Sequence, residues 1–217
     1  MRLMHSMAQK GILVVVSGFS GVGKGTLMKC LVERYSNYAL SISVTTRSPR
    51  EGEVDGREYF FRTRDEFQTM INGGELIEYA CYCENFYGTP QKYVEEQMEQ
   101  GKDVILEIEI QGALNIKKKY PEALLLFVMP PSAAVLKERL EGRGTESPEV
   151  IDARLRRACE ESEGIENYDF ILVNDDLDIC VKQMHGLITD QRWRVNRNLD
   201  FINEIRTEIK AFSKGEV

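Results

Sequence analysis

No CxxC pair and no zinc-ligand spacing occur in the chain, and its cysteines, Cys30, Cys81, Cys83, Cys159 and Cys180, are odd in number. Such a set reads as reduced core thiols rather than a disulfide framework or a metal centre, which favours a cytoplasmic location. Also absent is any apolar run of the roughly 18 residues that suggest a membrane span, and residues 1–10 lack the apolar length of a signal peptide. A soluble chain without membrane partners is the expectation. Positive charge is in deficit, with 28 Lys and Arg against 35 Asp and Glu for a net −7. That mean field repels phosphate, which disfavours broad nucleic-acid binding and requires any phosphate ligand to be drawn by local basic clusters. Internal repeats and low-complexity tracts are missing too.

What is present suits one medium domain carrying insertions: 217 residues, 42% of them hydrophobic, are enough to fill a substantial core. GILVVVS, Gly11 to Ser17, is a β-branched run that ends in a glycine loop, after which Leu27, Leu31 and Val32 have helical spacing. DVILEIEI (Asp103 to Ile110), LLLFV (Leu124 to Val128) and DFILVN (Asp169 to Asn174) read as further buried strands. Helices between them predict an α/β fold with a parallel sheet. The predicted core is 11–45, 93–131 and 165–190.

Three stretches depart from that alternation. Residues 46–92, rich in Gly, Tyr and charge, read as a small inserted domain, within which Thr63 and Glu66 have the spacing of a reciprocal helix cap. Residues 132–164 carry arginines, a GRG turn at Arg143, and a helix start with Ser147 as cap and Pro148 at its first position. This segment is a candidate lid, the glycines around Arg143 serving as a hinge or an ordinary turn. Residues 191–217 place Leu199, Ile202, Ile205, Ile209 and Phe212 at nearly helical spacing. They predict an amphipathic helix that docks on the core or contacts a second copy in a homo-oligomer.

The loop GFSGVGKGT, comprising Gly18, Phe19, Ser20, Gly21, Val22, Gly23, Lys24, Gly25 and Thr26, nearly fits G-x-x-x-x-G-K-[S/T]. Glycines between a strand and a helix let successive N–H groups face an anion, and Lys24 would contact the β and γ phosphates of ATP. A glycine turn with a surface lysine is the plainer alternative. Gly25 stands where the metal-binding hydroxyl is usual, leaving Thr26 as the nearest, so Mg2+ arriving with ATP would be held more by phosphates and water. No direct metal ligand is assigned.

A second phosphate site is suggested by SVTTRSPREGEVDGREYFF, Ser43 to Phe61, where Arg47, Arg50 and Tyr59 are donors able to hold a phosphate bidentately. With the loop, NFYGTP (Asn85 to Pro90) and LEIEIQGA (Leu106 to Ala113), the motifs in this order resemble the guanylate kinase family over roughly residues 11–190. The resemblance implies a P-loop NTPase-type parallel sheet with helices on both faces, a nucleoside monophosphate-binding insertion and a helical lid. It implies the reaction ATP + GMP to ADP + GDP. Arg47, Arg50, Tyr59 and Tyr87 would hold the GMP phosphate, while Ser43, Glu78, Thr89 and Glu109 would read guanine. Lys24, Arg47 and the lid residues Arg143 and Arg154 would carry catalysis, with Arg139, Arg156 and Arg157 near enough to share it.

Glu109 stands where the family usually has Asp, and Glu78 alone would read as an exposed strand carboxylate. Thr89 before Pro90 could instead cap a helix. Asn174, Asp175 and Asp176 would border the adenine pocket or cap the next helix, and Lys117 to Lys119 reads as a solvated helix end. His5 and His185 attract no role, since phosphoryl transfer depends on alignment and charge neutralisation rather than a histidine base. The competing readings are a non-catalytic phosphopeptide-binding module of the same fold and a kinase for another nucleotide.

Overall fold

Alternation along one buried strand organises the molecule. The computed structural model describes residues 10–82, 84–142 and 148–213. Its first half contains β1 (Leu13–Gly18), α1 (Lys24–Arg34), β2 (Tyr38–Leu40), β3 (Val44–Thr45), β4 (Phe60–Phe61), α2 (Arg64–Asn72), β5 (Leu76–Tyr82), β6 (Asn85–Pro90) and α3 (Gln91–Glu99). The second half contains β7 (Asp103–Glu107), α4 (Ile110–Lys119), β8 (Leu124–Met129), α5 (Ala133–Glu141), α6 (Pro148–Ser162), β9 (Phe170–Val173), α7 (Leu177–Asp190) and α8 (Leu199–Ser213). A parallel sheet in the order β2-β7-β1-β8-β9 has β1 at its centre. Ile12, Val14 and Val16 face a core with Leu27 and Leu31 of α1 and Val181, Met184 and Ile188 of α7. Leu13 and Val15 face the opposite core, with Val94 of α3 and Ile116 of α4. Both faces are therefore covered, as an all-parallel sheet requires.

A second, four-stranded sheet, β4-β3-β6-β5, packs on α2 through Phe67, Val44 and Leu76, and its strand β3 (Val44–Thr45) comes from the stretch expected to belong to the core. The reciprocal cap is present: Thr63 accepts from the Glu66 N–H, and the Glu66 side chain accepts from the Thr63 N–H. The predicted strand over Asp103 to Ile110 is too long. β7 stops at Glu107, and the Glu109 carboxylate accepts from the N–H groups of Gln111 and Gly112, turning the chain into α4. Pro148 does open α6, whereas its predicted cap Ser147 lies outside the described residues. Lys117 is not simply solvated; it pairs with Asp169 at 2.9 Å and donates to the Ala123 carbonyl.

The terminal amphipathic helix forms, but it does not dock. No residue of α8 is buried, and Leu199, Phe201, Ile209 and Phe212 are exposed. The reason lies before it. Both sheet faces are already covered, and the link to α8 is held at the sheet's base, where Arg192 pairs with Asp103 and Arg197 donates to the Lys10 carbonyl. Among the described residues no helix is long and apolar enough to cross a membrane. Cys30, Cys81, Cys159 and Cys180 are free thiols; Cys83 lies outside the described residues.

Asp103 is the polar knot of this base. Fully buried at the start of β7, it accepts from the Ile12 N–H at 2.9 Å, the Asn37 amide at 2.9 Å and the Arg192 guanidinium at 2.7 Å. Removing the carboxylate strands a backbone N–H and a half-buried cation together. Asp103→Ala is expected to lower stability by about 3 kcal/mol in urea unfolding, the scale for breaking a buried charge pair. A loss below about 1 kcal/mol, the ordinary cost of a point substitution, would reject the knot.

Candidate active site

A cleft of about 1190 Å³ opens between the carboxyl ends of the central strands, the insertion sheet and α6. That placement, outside the carboxyl ends of parallel strands, is where α/β sheets leave room for ligands. One wall is the glycine loop. α1 begins at Gly23, whose φ of 96° lies in the left-handed region, and it has neither a side-chain cap nor an acidic residue in its first turn. By contrast α2, α4, α5 and α7 are capped by Thr63, Glu109, Ser132 and Asp176. The first-turn N–H groups of α1 are thus open to an anion, backed by the positive end of the helix dipole.

Lys24 Nζ donates to the Gly18 carbonyl at 2.7 Å and the Phe19 carbonyl at 3.3 Å, so the ammonium lies over the loop it would serve. From α6, Arg154 donates to Ser20 Oγ at 3.0 Å, and Arg156 and Arg157 line the same cleft. Arg139 of α5 reaches the Val22 carbonyl at 3.3 Å. Arg143 lies outside the described residues.

The facing wall belongs to the insertion. Arg47, Arg50, Tyr59 and Tyr87 all line the cleft, with the Arg47 guanidinium 5.3 Å from the Tyr59 ring centre and the Tyr59 and Tyr87 rings 6.0 Å apart. Glu53 was missed by sequence reasoning. Its Oε1 accepts from Arg47 at 2.9 Å and its Oε2 from the Arg50 N–H at 2.7 Å, and these bonds hold its carboxyl below the usual range. The spacing REGE, with a carboxylate three residues beyond Arg50, was the available signal.

Deeper in the cleft, Glu78 is buried in β5 and does not behave as an exposed strand carboxylate. Its Oε1 accepts from Thr89 Oγ1 at 2.8 Å, which also shows that Thr89 does not cap a helix: α3 starts from Pro90 with no side-chain cap. The other carboxylate oxygen faces Gly112, where a Cβ would come within 2.9 Å. Burial pushes the Glu78 carboxyl up to about 7, the Thr89 hydrogen bond opposes that, and the Glu109 charge adds to it. Ser43 and Glu109 line the same pocket, although both Glu109 oxygens are engaged by the α4 N-terminus. Glu107 sits at the end of β7, its carboxyl raised by surrounding protein and pulled back by Lys24. Asp176 caps α7, while Asn174 turns inward to the Val22 carbonyl.

Two anion-suited walls therefore face one another across a single cleft, with a buried carboxylate beside the second. Residues 10–191 match the family model for guanylate kinase. The chain is 45% identical over 203 residues to the guanylate kinase of Caldanaerobacter subterraneus subsp. tengcongensis, covering 94% of this chain and 98% of that one. It is 47% identical over 205 residues to the guanylate kinase of Lactococcus lactis subsp. lactis, covering 94% and 100%. Among solved structures, guanylate kinase from Anaplasma phagocytophilum superposes with a TM-score of 0.70 at 32% identity, covering 87% of this chain and 90% of that one. By the extent of these matches, and by the walls of its cleft, the chain belongs to the guanylate kinase family.

Proposed function

We propose that the cleft transfers the γ-phosphoryl group of ATP to GMP, giving ADP and GDP. The observation that carries this reading is the opposition of an uncapped phosphate-loop helix to the Arg47, Arg50, Tyr59 and Tyr87 cluster, with the buried Glu78–Thr89 pair alongside. The loop from Gly18 to Thr26 receives the donor's phosphates, and Lys24 leaves its carbonyl partners to neutralise them. Arg47 and Arg50 hold the acceptor phosphate, with the tyrosine hydroxyls completing its hydrogen bonds. A non-catalytic phosphopeptide module has no use for a second, uncapped anion site across the cleft.

Magnesium fits this site as an ion carried in by ATP. Among the described residues no group of three acidic, His or Cys side chains forms a protein cage. Glu107 lines the cleft as an oxygen donor, and the remaining positions would fall to phosphate oxygens and water, the coordination this ion prefers. When bound it neutralises charge on the β and γ phosphates. The phosphate chemistry and the free thiols together suit the cytoplasm, where nucleotides are abundant.

The protein's own work is alignment and exclusion of water. GMP phosphate is already an anionic nucleophile, so the barrier is the repulsion between two anions and the charge on the equatorial oxygens. Arg154 on α6, with Arg143 beside that helix in sequence, supplies positive charge to those oxygens when the segment closes. Closure also keeps water from accepting the phosphoryl group.

Guanine recognition follows from donor geometry. An ionised Glu78 accepts from guanine N1–H and the exocyclic amine, with Thr89, Ser43 and Glu109 framing the base. Adenine presents a lone pair at N1 and would leave the carboxylate unpaired, a larger penalty than a misfit of shape.

ADP release measured with GMP, AMP, CMP and UMP, and with no acceptor, should show turnover with GMP alone; an equal rate without acceptor would reject the transfer reading. Lys24→Ala is expected to lower kcat by about 100-fold or more while the thermal midpoint stays near wild type, because it removes charge stabilisation without touching the core. Near-normal turnover would exclude the loop as the donor site. Arg154→Ala is expected to lower kcat about 10- to 100-fold with little change in KM for GMP, and a matching loss of GMP affinity would move it into the acceptor site.

Glu78→Gln should cost about 1 to 3 kcal/mol of GMP over AMP selectivity, the scale of one charge-assisted hydrogen bond. The pH dependence has a definite sign. Binding needs the carboxylate, and with the carboxyl at about 7 its ionised fraction falls as pH drops. From about pH 8 to about pH 6 the KM for GMP should rise roughly tenfold beyond any rise seen in Glu78→Gln, which isolates this group from the substrate's own phosphate. The same raised carboxyl makes the unliganded protein lose stability as pH rises from about 4.5 to about 7, where the unfolded chain releases the proton first. Parallel pH profiles for wild type and variant would remove Glu78 as the guanine reader.

A further inference from the structure

Asn174 stands immediately after β9, is nearly fully buried, and lies 152 positions from the loop residue it touches. Its backbone N–H extends the β8–β9 pairing by donating to the Met129 carbonyl at 2.8 Å. Its side-chain Nδ2 donates to the Val22 carbonyl, also at 2.8 Å. The amide orientation is fixed by this partner, since the reverse orientation would set two oxygens against each other.

The consequence lies on the other side of the Val22–Gly23 peptide. In a trans peptide the C=O and the following N–H point in opposite directions, and the described residues contain no cis bond. A Val22 carbonyl held inward therefore directs the Gly23 N–H outward. Two observations place those sides. Val22 is fully buried whereas Gly21, Gly23 and Lys24 line the cleft. A Cβ on Gly23 would come within 2.7 Å of Asn174 Nδ2, so the amide occupies the inner side of the loop.

We propose that Asn174 is a positioning residue for the phosphate loop: its amide pins the Val22 carbonyl inward and so aims the Gly23 N–H at the polyphosphate of the bound nucleotide. It touches neither adenine nor phosphate. Arg139 shares the same carbonyl from α5 at the longer distance of 3.3 Å, so the carbonyl is held from the sheet and from the lid side together. The inference rests on the donor-site reading of the loop given above, and it adds to that reading how the loop is kept in its binding shape.

The test uses Asn174→Asp, nearly isosteric, which faces an acceptor oxygen to the Val22 carbonyl, and Asn174→Ala, which only deletes the donor. Dissociation constants are measured for ADP, inorganic pyrophosphate, adenosine and GMP by displacement or calorimetry. In Asn174→Asp, ADP and pyrophosphate should each weaken about tenfold, the scale of one misdirected hydrogen bond, while adenosine and GMP keep their wild-type affinities. Asn174→Ala should follow the same pattern more mildly. In turnover, KM for ATP should rise in both while KM for GMP stays fixed.

Equal weakening of adenosine and ADP would overturn the proposal, by making Asn174 part of the base pocket. Equal weakening of all four ligands, or a wild-type profile in both variants, would overturn it as well. If Asn174→Asp fails to fold, the alanine variant decides by the same ratios. Wild-type protein that takes neither ADP nor GMP would instead reject the underlying donor and acceptor reading, which the variant ratios leave untouched.

Discussion

Two polyanions have to meet in an acidic protein. The chain carries a net charge of −7, and nucleotide phosphates repel both it and each other. The solution is to concentrate positive potential in one cleft, from Lys24, Arg47, Arg50 and Arg154 and from the uncapped first turn of α1. The parallel sheet makes this possible, because each strand hands the chain to its helix at the same edge. β1 delivers the glycine loop there, β7 delivers Glu107 and Glu109, and β9 delivers Asn174. The cleft is also lined by carboxylates, among them Glu53, Glu78, Glu107 and Glu109, so the positive potential is local to its two walls.

The basic groups of the cleft have oxygen partners within the protein itself. Arg47 rests on Glu53, Lys24 on the Gly18 and Phe19 carbonyls, and Arg154 on Ser20. Each partner is an oxygen, and on the proposed reading it stands where a phosphate oxygen would come. Such placeholders keep flexible side chains close to their working geometry, so that less side-chain entropy is lost when a phosphate arrives. They also compete with it.

Periodicity revealed the sheet because burial on both faces leaves unbroken apolar runs, as in Leu124 to Val128. It failed at β7 because Leu106, Ile108 and Ile110 continue the two-residue alternation past the strand's end, while the deciding event is Glu109 capturing two backbone N–H groups beyond it. It found α8 but left its docking open, because an apolar stripe records that a helix has a preferred side, not whether its own chain has surface left to cover it. Short local motifs pointed to Arg47, Arg50 and Arg154, which line the cleft. The Asn174 to Val22 bond was invisible, since nothing local marks a contact between residues 152 positions apart. Glu53 falls between these cases: close to Arg50 in sequence, it reveals its role only once the loop folds its carboxylate back.

The two carboxylates beside the base pocket show how location divides similar groups. Glu109 spends both carboxylate oxygens on a helix start, where they accept from the Gln111 and Gly112 N–H groups. Glu78 has one hydroxyl donor, deep burial and Glu109 as a like-charged neighbour, so its ionised form is costly. A ligand that offers two N–H donors removes that cost, and one that offers a lone pair does not. On the proposed reading, selectivity would arise from the cost of burying an underpaired carboxylate as much as from the bonds it makes to the base. If Glu78 reads guanine as proposed, a more exposed or better-paired carboxylate there would discriminate less, because water or another partner would already satisfy it when the wrong base entered.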